Sequence, residues 1–134
     1  NCLNNRLIQC NYNNTPTFSF NKLKFNAKVI KVYDGDTIWV AFKYNHKYVK
    51  MKVRLLGIDT PEIRTKCSEE KEKGILARDY LIDLILNKII KLHCDKFDKY
   101  GRLLGKIYFK NNCVNDTMID KGYGVSYDGG SKNK

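Results

Sequence analysis

At 134 residues the chain is long enough for one domain around a single core and too short for two of ordinary size. Apolar residues at 43% and charged residues at 29% are ordinary for a globular protein, but 25 Lys and Arg against 14 Asp and Glu leave a net charge of +11. That excess favours nucleic acid as partner, and an anionic membrane surface only more weakly; no apolar run approaches the roughly 20 residues that span a bilayer.

Residues 1 to 25 are rich in Asn and weakly periodic, which predicts an N-terminal arm, with Phe18, Phe20 and Phe25 as candidates to pack onto a domain over 26–134. From Ala27 the pattern is that of strands. Val29 and Ile30 lead into an Asp-Gly turn, and Ile38, Val40 and Phe42 then alternate with Thr37, Trp39 and Ala41. Asn45-His46 is a hairpin tip, and a third strand over Tyr48 to Ile58 places Met51, Val53 and Leu55 on one face. Arg54, Leu56 and Ile58 fall on the other. Helical spacing follows from Ser68 to Asn87, with Ser68 as N-cap, Glu69 and Glu70 behind it, and a stripe of Ala77, Leu81, Leu84 and Ile85. Strand pattern returns at Ile89 to Cys94, Asp98-Lys99-Tyr100-Gly101 is turn chemistry, and Arg102 to Phe109 is a fifth strand. A short helix over Val114 to Lys121 ends at Gly122. The order predicts an α+β, mainly β fold: a five-stranded barrel of the oligonucleotide-binding type, with a helix between strands 3 and 4 and a short C-terminal helix.

Five cysteines, odd in number and without zinc-knuckle spacing, predict reduced thiols. No hydrophobic leader is visible in the first residues, so the expectation is an intracellular protein.

The placement of carboxylates is the strongest local signal. The first four acids, Asp34, Asp36, Asp59 and Glu62, lie in Asp34-Gly35-Asp36-Thr37 and Asp59-Thr60-Pro61-Glu62, while ten Lys and Arg precede Glu62. A polyanion-binding surface has little use for carboxylates unless they hold a cation or move a proton. Taken separately, each motif also reads as turn punctuation. Together they are harder to dismiss, because Asp36 starts one strand and Asp59 ends the strand that returns beside it. All-oxygen donors, with the Thr60 carbonyl as a possible neutral ligand, suit calcium or magnesium rather than zinc. Arg54 lies among apolar residues, where a lone charge is costly. Either it forms a structural salt bridge to Asp36 or Asp59, or its fork is aimed at a phosphate. Arg102 by itself reads as a solvated turn residue.

Asp34-Gly35-Asp36-Thr37, Arg54-Leu55-Leu56-Gly57-Ile58-Asp59-Thr60-Pro61-Glu62 and Asp98-Lys99-Tyr100-Gly101-Arg102-Leu103 resemble the three signature blocks of staphylococcal nuclease (thermonuclease) domains, over about Ala27 to Tyr127. The resemblance implies a monomeric, calcium-dependent nuclease that cuts DNA and RNA with little sequence preference and leaves 3′-phosphate ends. It implies Asp36, Asp59 and the Thr60 carbonyl as calcium ligands, Glu62 as general base, and Arg54 and Arg102 as the phosphate-binding pair. Lys99, Tyr100 and Tyr127 match positions near the bound nucleotide, and Lys43, Lys47, Lys50, Lys52, Lys106 and Lys110 are left to hold the rest of the polyanion. The stretch before Asp98 is shorter than in the secreted bacterial enzyme, and the ending Tyr127-Asp128-Gly129-Gly130 resembles nuclease-like domains of phages and large DNA viruses. The rival reading is a non-catalytic barrel that binds nucleic acid, as in family relatives that lack these side chains.

Overall fold

The computed structural model describes residues 6–127. Cys2 and the end of the chain from Asp128 onward, including most of the Tyr-Asp-Gly-Gly segment, lie outside the described residues. Three long strands come first: β1 (Lys24–Asp34), β2 (Thr37–Tyr44) and β3 (Lys47–Leu55). They form an antiparallel meander. At the β2–β3 tip Asn45 and His46 have φ of 51° and 66°, the doubly left-handed pair that matches strand twist in a two-residue hairpin.

The third strand is shorter than the periodicity suggests. It ends at Leu55, the chain turns at Gly57 with φ of 83°, and Ile58–Asp59 form a separate short strand, β4. Next come helix α1 (Ser68–Ile85), β5 (Ile89–Phe97), β6 (Leu103–Phe109), β7 (Asn112–Cys113), helix α2 (Val114–Asp120) and β8 (Val125–Ser126), which pairs with β4. The large sheet runs β3-β2-β1-β5-β6-β7, and β3 also pairs with β6 in parallel, Arg54 opposite Leu104. That last pairing closes β1, β2, β3, β5 and β6 into a barrel, the expected oligonucleotide-binding architecture, with α1 between its third and fourth strands.

The barrel interior is apolar, with Val29, Ile38, Val40, Val53, Leu92 and Ile107 fully buried. Ala77, Leu81 and Ile85 from α1 and Val114 and Met118 from α2 close it. Each Val, Leu, Ile or Met side chain among them contributes about 1.5–3 kcal/mol of burial. The stripe on α1 differs from the expected one: Gly74 joins Ala77, Leu81 and Ile85, whereas Leu84 is only half-buried. Small residues at the N-terminal half of the helix let it approach neighbouring backbone closely, and this decides which face turns inward. The N-cap is Cys67 rather than Ser68, without a side-chain cap bond. Thr65 Oγ1 instead accepts from the Cys67 N–H at 3.2 Å, so the residue before the helix is held from outside it.

Phe20, 6% exposed, packs edge-on against Phe18, Phe25 and Tyr44 and also meets Phe97. Backbone bonds from Lys22 N–H to Cys94 O and from Cys94 N–H to Leu23 O extend that docking to β5. Cys10, Cys67, Cys94 and Cys113 are free thiols. No helix among the described residues is long and apolar enough to cross a membrane.

Candidate active site

The turn between β1 and β2 and the turn after β3 meet at one end of the barrel. Register places Thr37 opposite Arg54, and the Leu55 N–H donates to Asp36 O at 2.8 Å. Asp36 is therefore held by its backbone beside the arginine, and only 7% of it is exposed. Its Oδ1 accepts from the Thr37 hydroxyl at 3.1 Å and its Oδ2 from the Thr60 N–H at 3.1 Å. Those bonds tie the first motif to the second across 24 residues.

Arg54 joins the two carboxylates. Its Nη1 donates to the carbonyls of Leu55 (3.1 Å) and Ile58 (2.9 Å) and lies 3.4 Å from Asp36 Oδ2. Its Nη2 lies 3.4 Å from Asp59 Oδ1. The carbonyl bonds are full-strength and orient the guanidinium, while the carboxylate contacts are longer than an optimal hydrogen bond. Asp59 is brought there by the Gly57 turn, and β8 pairs along it, with Tyr127 N–H donating to Gly57 O at 2.9 Å. The Tyr127 ring faces the Arg54 guanidinium at 6.0 Å.

Asp34 sits beside this cluster, and its carboxyl is raised to about 7. Burial is the main cause, followed by a hydrogen bond to Asp36 and the Asp36 charge. Asp34 Oδ1 also accepts from the Asp36 N–H at 3.2 Å.

The parallel β3–β6 pairing carries the third motif to the same place. Asp98 organises it: Oδ1 accepts from the N–H groups of Tyr100 and Arg102, both at 2.9 Å, and Oδ2 from Arg102 Nε at 2.8 Å. Burial alone would raise the Asp98 carboxyl, but these donors and the Arg102 charge outweigh it and hold it below the usual carboxylate range. The Tyr100 ring is faced by both the Lys99 ammonium (5.2 Å) and the Arg102 guanidinium (5.4 Å).

Glu62 is exposed, and helix α1 sets its position. Its N–H donates to Glu70 Oε2 at 3.2 Å, and a Cβ on Gly74 would lie 2.7 Å from Pro61 O and 3.1 Å from the Glu62 carbonyl carbon. Only a glycine lets the helix lie this close to the Pro61-Glu62 backbone. Gly35 is also held close to this helix, where an added Cβ would meet the Ala77 Cβ at 2.8 Å and the Thr60 side chain at 3.0 Å.

A cleft of about 1510 Å³ is lined by all nine residues singled out in the sequence: Asp36, Arg54, Asp59, Thr60, Glu62, Lys99, Tyr100, Arg102 and Tyr127. It is larger than the roughly 300–1,000 Å³ of small-molecule pockets. Tyr33, Lys52 and Lys106 also line it. Tyr33 is faced by both Lys52 (5.0 Å) and Arg64 (5.3 Å), a pairing no sequence motif announces. Asp98, Tyr33 and Gly74 are positions to which the sequence motifs alone assign no role in the site. For Asp98 the signal was present, since an Asp opening a four-residue turn to Gly characteristically accepts from the N–H groups that follow it.

For a hard divalent cation the donor chemistry fits. Asp36 and Asp59 would supply carboxylates and Thr60 a carbonyl. The Asp36 oxygens retain acceptor capacity beyond their bonds to Thr37 and Thr60, because the contact to Arg54 is long. Among the described residues there is no group of three or more Asp, Glu, His or Cys arranged to enclose an ion, so water would complete the shell.

Residues 52–134 match the family described as staphylococcal nuclease homologue. An uncharacterized protein of Methanocaldococcus jannaschii is 33% identical over 140 residues, covering 87% of this chain and 66% of that protein. An uncharacterized endonuclease of Haemophilus influenzae is 32% identical over 104 residues (78% and 53%), and endonuclease YncB of Bacillus subtilis 35% over 111 (81% and 51%). The chain thus spans about half to two thirds of the length of these relatives. Arg54, Asp59, Glu62 and Arg102 fall within the matched stretch, and the closed barrel brings them around one cleft with Asp36: the chain belongs to the family of staphylococcal nuclease homologues.

Proposed function

We propose that this chain is a calcium-dependent nuclease that hydrolyses phosphodiester bonds in DNA and RNA with little sequence preference, leaving 3′-phosphate ends as the family resemblance implies. The observation that carries the reading is the joining of Asp36 and Asp59 through the single Arg54 guanidinium, in a cleft shared with Glu62 and Arg102. A structural salt bridge needs one carboxylate. Two, reached only at 3.4 Å, leave the guanidinium and both acids able to take other partners.

Arg54 is held by the bonds of its Nη1 to the Leu55 and Ile58 carbonyls, and its Nη2, with two N–H groups and only a long contact to Asp59, can donate to a phosphate oxygen from that fixed position. Arg102 is anchored through Nε to Asp98, which leaves its terminal nitrogens for a second phosphate oxygen. The exposed Glu62 carboxylate takes a proton from an attacking water or orients it, from a segment fixed against α1 by the Gly74 contact. Asp36, Asp59 and the Thr60 carbonyl would hold calcium, which when bound polarises the phosphoryl oxygen and neutralises developing charge. Electron-rich Tyr100 and Tyr127, each beside a cation, offer faces for the sugar and base of the bound nucleotide.

The test is degradation of single-stranded DNA by the purified chain with calcium and then with excess chelator, running Glu62→Gln and Arg54→Ala in parallel. Calcium-dependent cleavage that drops by about 100-fold or more in both variants, with unchanged circular dichroism, supports the assignment. Wild-type rates in both variants would sink it. Salt-sensitive binding without cleavage in any divalent metal would make this a non-catalytic barrel.

A further inference from the structure

Residues that precede the first strand close one end of the barrel. Phe20 is buried there, its ring 5.1 Å from Phe18, 5.4 Å from Tyr44, 5.8 Å from Phe97 and 6.0 Å from Phe25. Phe25 in turn lies 4.7 Å from Phe42. A turn then leads the chain into β1. The Leu23 N–H donates to Phe20 O at 2.9 Å, the Asn21 N–H to Ser19 Oγ at 3.0 Å, and Lys22 holds φ of 72°. That left-handed conformation is unfavourable for a lysine, so it persists only where contacts on either side fix it. On one side is the aromatic cluster around Phe20. On the other, Lys22 N–H donates to Cys94 O at 3.0 Å and Cys94 N–H to Leu23 O at 2.8 Å.

A plug for the barrel end would need only apolar filling. This one is also wired to the active-site cleft. Cys94, which the arm clamps, is where β5 gains an extra residue. From Cys94 to Phe97 β5 advances three positions, while β6 advances two from Gly105 to Leu103. Such a bulge bends its strand and re-aims the side chains beside it. Phe97, at the end of the bulge, meets Phe20 and also lines the cleft. The next residue is Asp98, whose N–H donates to Arg102 O at 2.8 Å and whose Oδ2 holds Arg102 Nε at 2.8 Å.

We infer that Phe20 is a positioning residue for the reaction: packed against Phe97, it fixes the bulged end of β5 and with it the Asp98 turn that aims Arg102 into the cleft. It acts through Phe97 and Asp98 rather than by touching substrate. The kinetic consequence rests on the nuclease reading above, whereas the hold on Arg102 is a matter of geometry and is measured without cleavage.

The experiment compares the intact chain with Phe20→Ala and Phe20→Leu. Solvent exchange of the Arg102 Nε proton, followed by nuclear magnetic resonance, reads the bond to Asp98 directly. In Phe20→Ala it should quicken by roughly tenfold, the effect expected when a charge-assisted hydrogen bond loosens. The side-chain amide of Asn115, bonded to Leu56 O and Gly105 O on the α2 side, should keep its wild-type resonances. With calcium and single-stranded DNA, kcat should fall by roughly tenfold and KM stay within about twofold. Phe20→Leu, which keeps the apolar filling, should recover most of both losses. In an Arg102→Ala background, Phe20→Ala should cost no further turnover, because the effect runs through that arginine. Wild-type exchange at Arg102 in folded Phe20→Ala would overturn the inference, as would equal quickening at Arg102 and Asn115, which marks general loosening. If Phe20→Ala does not fold, Phe97→Ala, at a half-buried position, carries the same comparison with the same outcomes. A chain that cuts DNA with Arg102 unmoved in the variant loses only the role of Phe20. One that cuts nothing, yet shows the quickened exchange, keeps the positioning and loses the nuclease reading.

Discussion

Replacing Gly74 by alanine sets two physical effects against each other. Helix propensity favours the change: alanine in a helix interior is better than glycine by about 1 kcal/mol. Packing opposes it. The new Cβ would lie 2.7 Å from Pro61 O, 2.9 Å from Ile63 Cγ1 and 3.1 Å from the Glu62 carbonyl carbon, where ordinary contact begins near 3.4 Å. Two of those three atoms belong to backbone and cannot rotate away. Overpacking of this kind costs about 1–3 kcal/mol, so a net loss of about 1 kcal/mol is expected, read from the urea midpoint at unchanged slope. The segment that yields carries Glu62, and the shortfall of about 0.7 Å to Pro61 O must be absorbed there or in α1. Because a misplacement of about 1 Å costs on the order of 100-fold in rate, turnover on single-stranded DNA should fall by roughly tenfold or more, with KM little changed. A variant stabilised by about 1 kcal/mol with wild-type turnover would refute the reasoning, because it would show that the Pro61-Glu62 segment gives way freely and is not held by the helix.

Two further outcomes test the frame around the site. Asn115 is 1% exposed, accepts from Ile107 N–H at 3.1 Å and donates to Leu56 O and Gly105 O at 2.8 and 3.1 Å, tying α2 to the strand end that precedes Asp59. Asn115→Ala removes three hydrogen bonds, two of them buried and one part-buried, and should cost about 3 kcal/mol in urea denaturation; a loss below about 1 kcal/mol would mean that water replaces them. Asp98 titrates below its ordinary range when folded, so its contribution to stability is complete above the unfolded value of about 3.9 and disappears as pH falls through the folded value. Asp98→Asn should therefore be less stable than wild type at neutral pH and approach it in strong acid, and a difference independent of pH would exclude the carboxylate as the cause.

Much of the fold was legible because its signals are local. Alternation in β2, the Asn45-His46 tip and the Asp98-Lys99-Tyr100-Gly101 turn each follow from conformational preferences of a few adjacent residues. Boundaries were less so. Periodicity carries the third strand through to Ile58, but the break comes at Gly57, where the chain must turn to bring Asp59 back toward Asp36. Local pattern puts the helix cap at Ser68, whereas the cap is Cys67 and Thr65 holds it from outside the helix. Leu84 fits the apolar period as well as Gly74 does, yet the inward face is set by how near α1 lies to Pro61, a distance no periodicity encodes.

The same division holds at the site. Sequence by itself determined which residue types were present and that three separated blocks carried them: carboxylates spent sparingly in a basic chain, and one arginine, Arg54, where a lone charge would be costly. Tertiary structure decided their relations. Arg54 proved not to choose between Asp36 and Asp59 but to touch both, because two carbonyls already fix its guanidinium between them. Arg102 reaches the cleft only because β6 closes the barrel in parallel on β3, and Asp98 then orients it. Phe20 likewise meets Phe97 only once Lys22 and Leu23 are bonded to Cys94. The physical reason is common to all three cases: residue chemistry and local preference are properties of neighbours in the chain, whereas partnership across the fold depends on distances that strand pairing and helix packing alone establish.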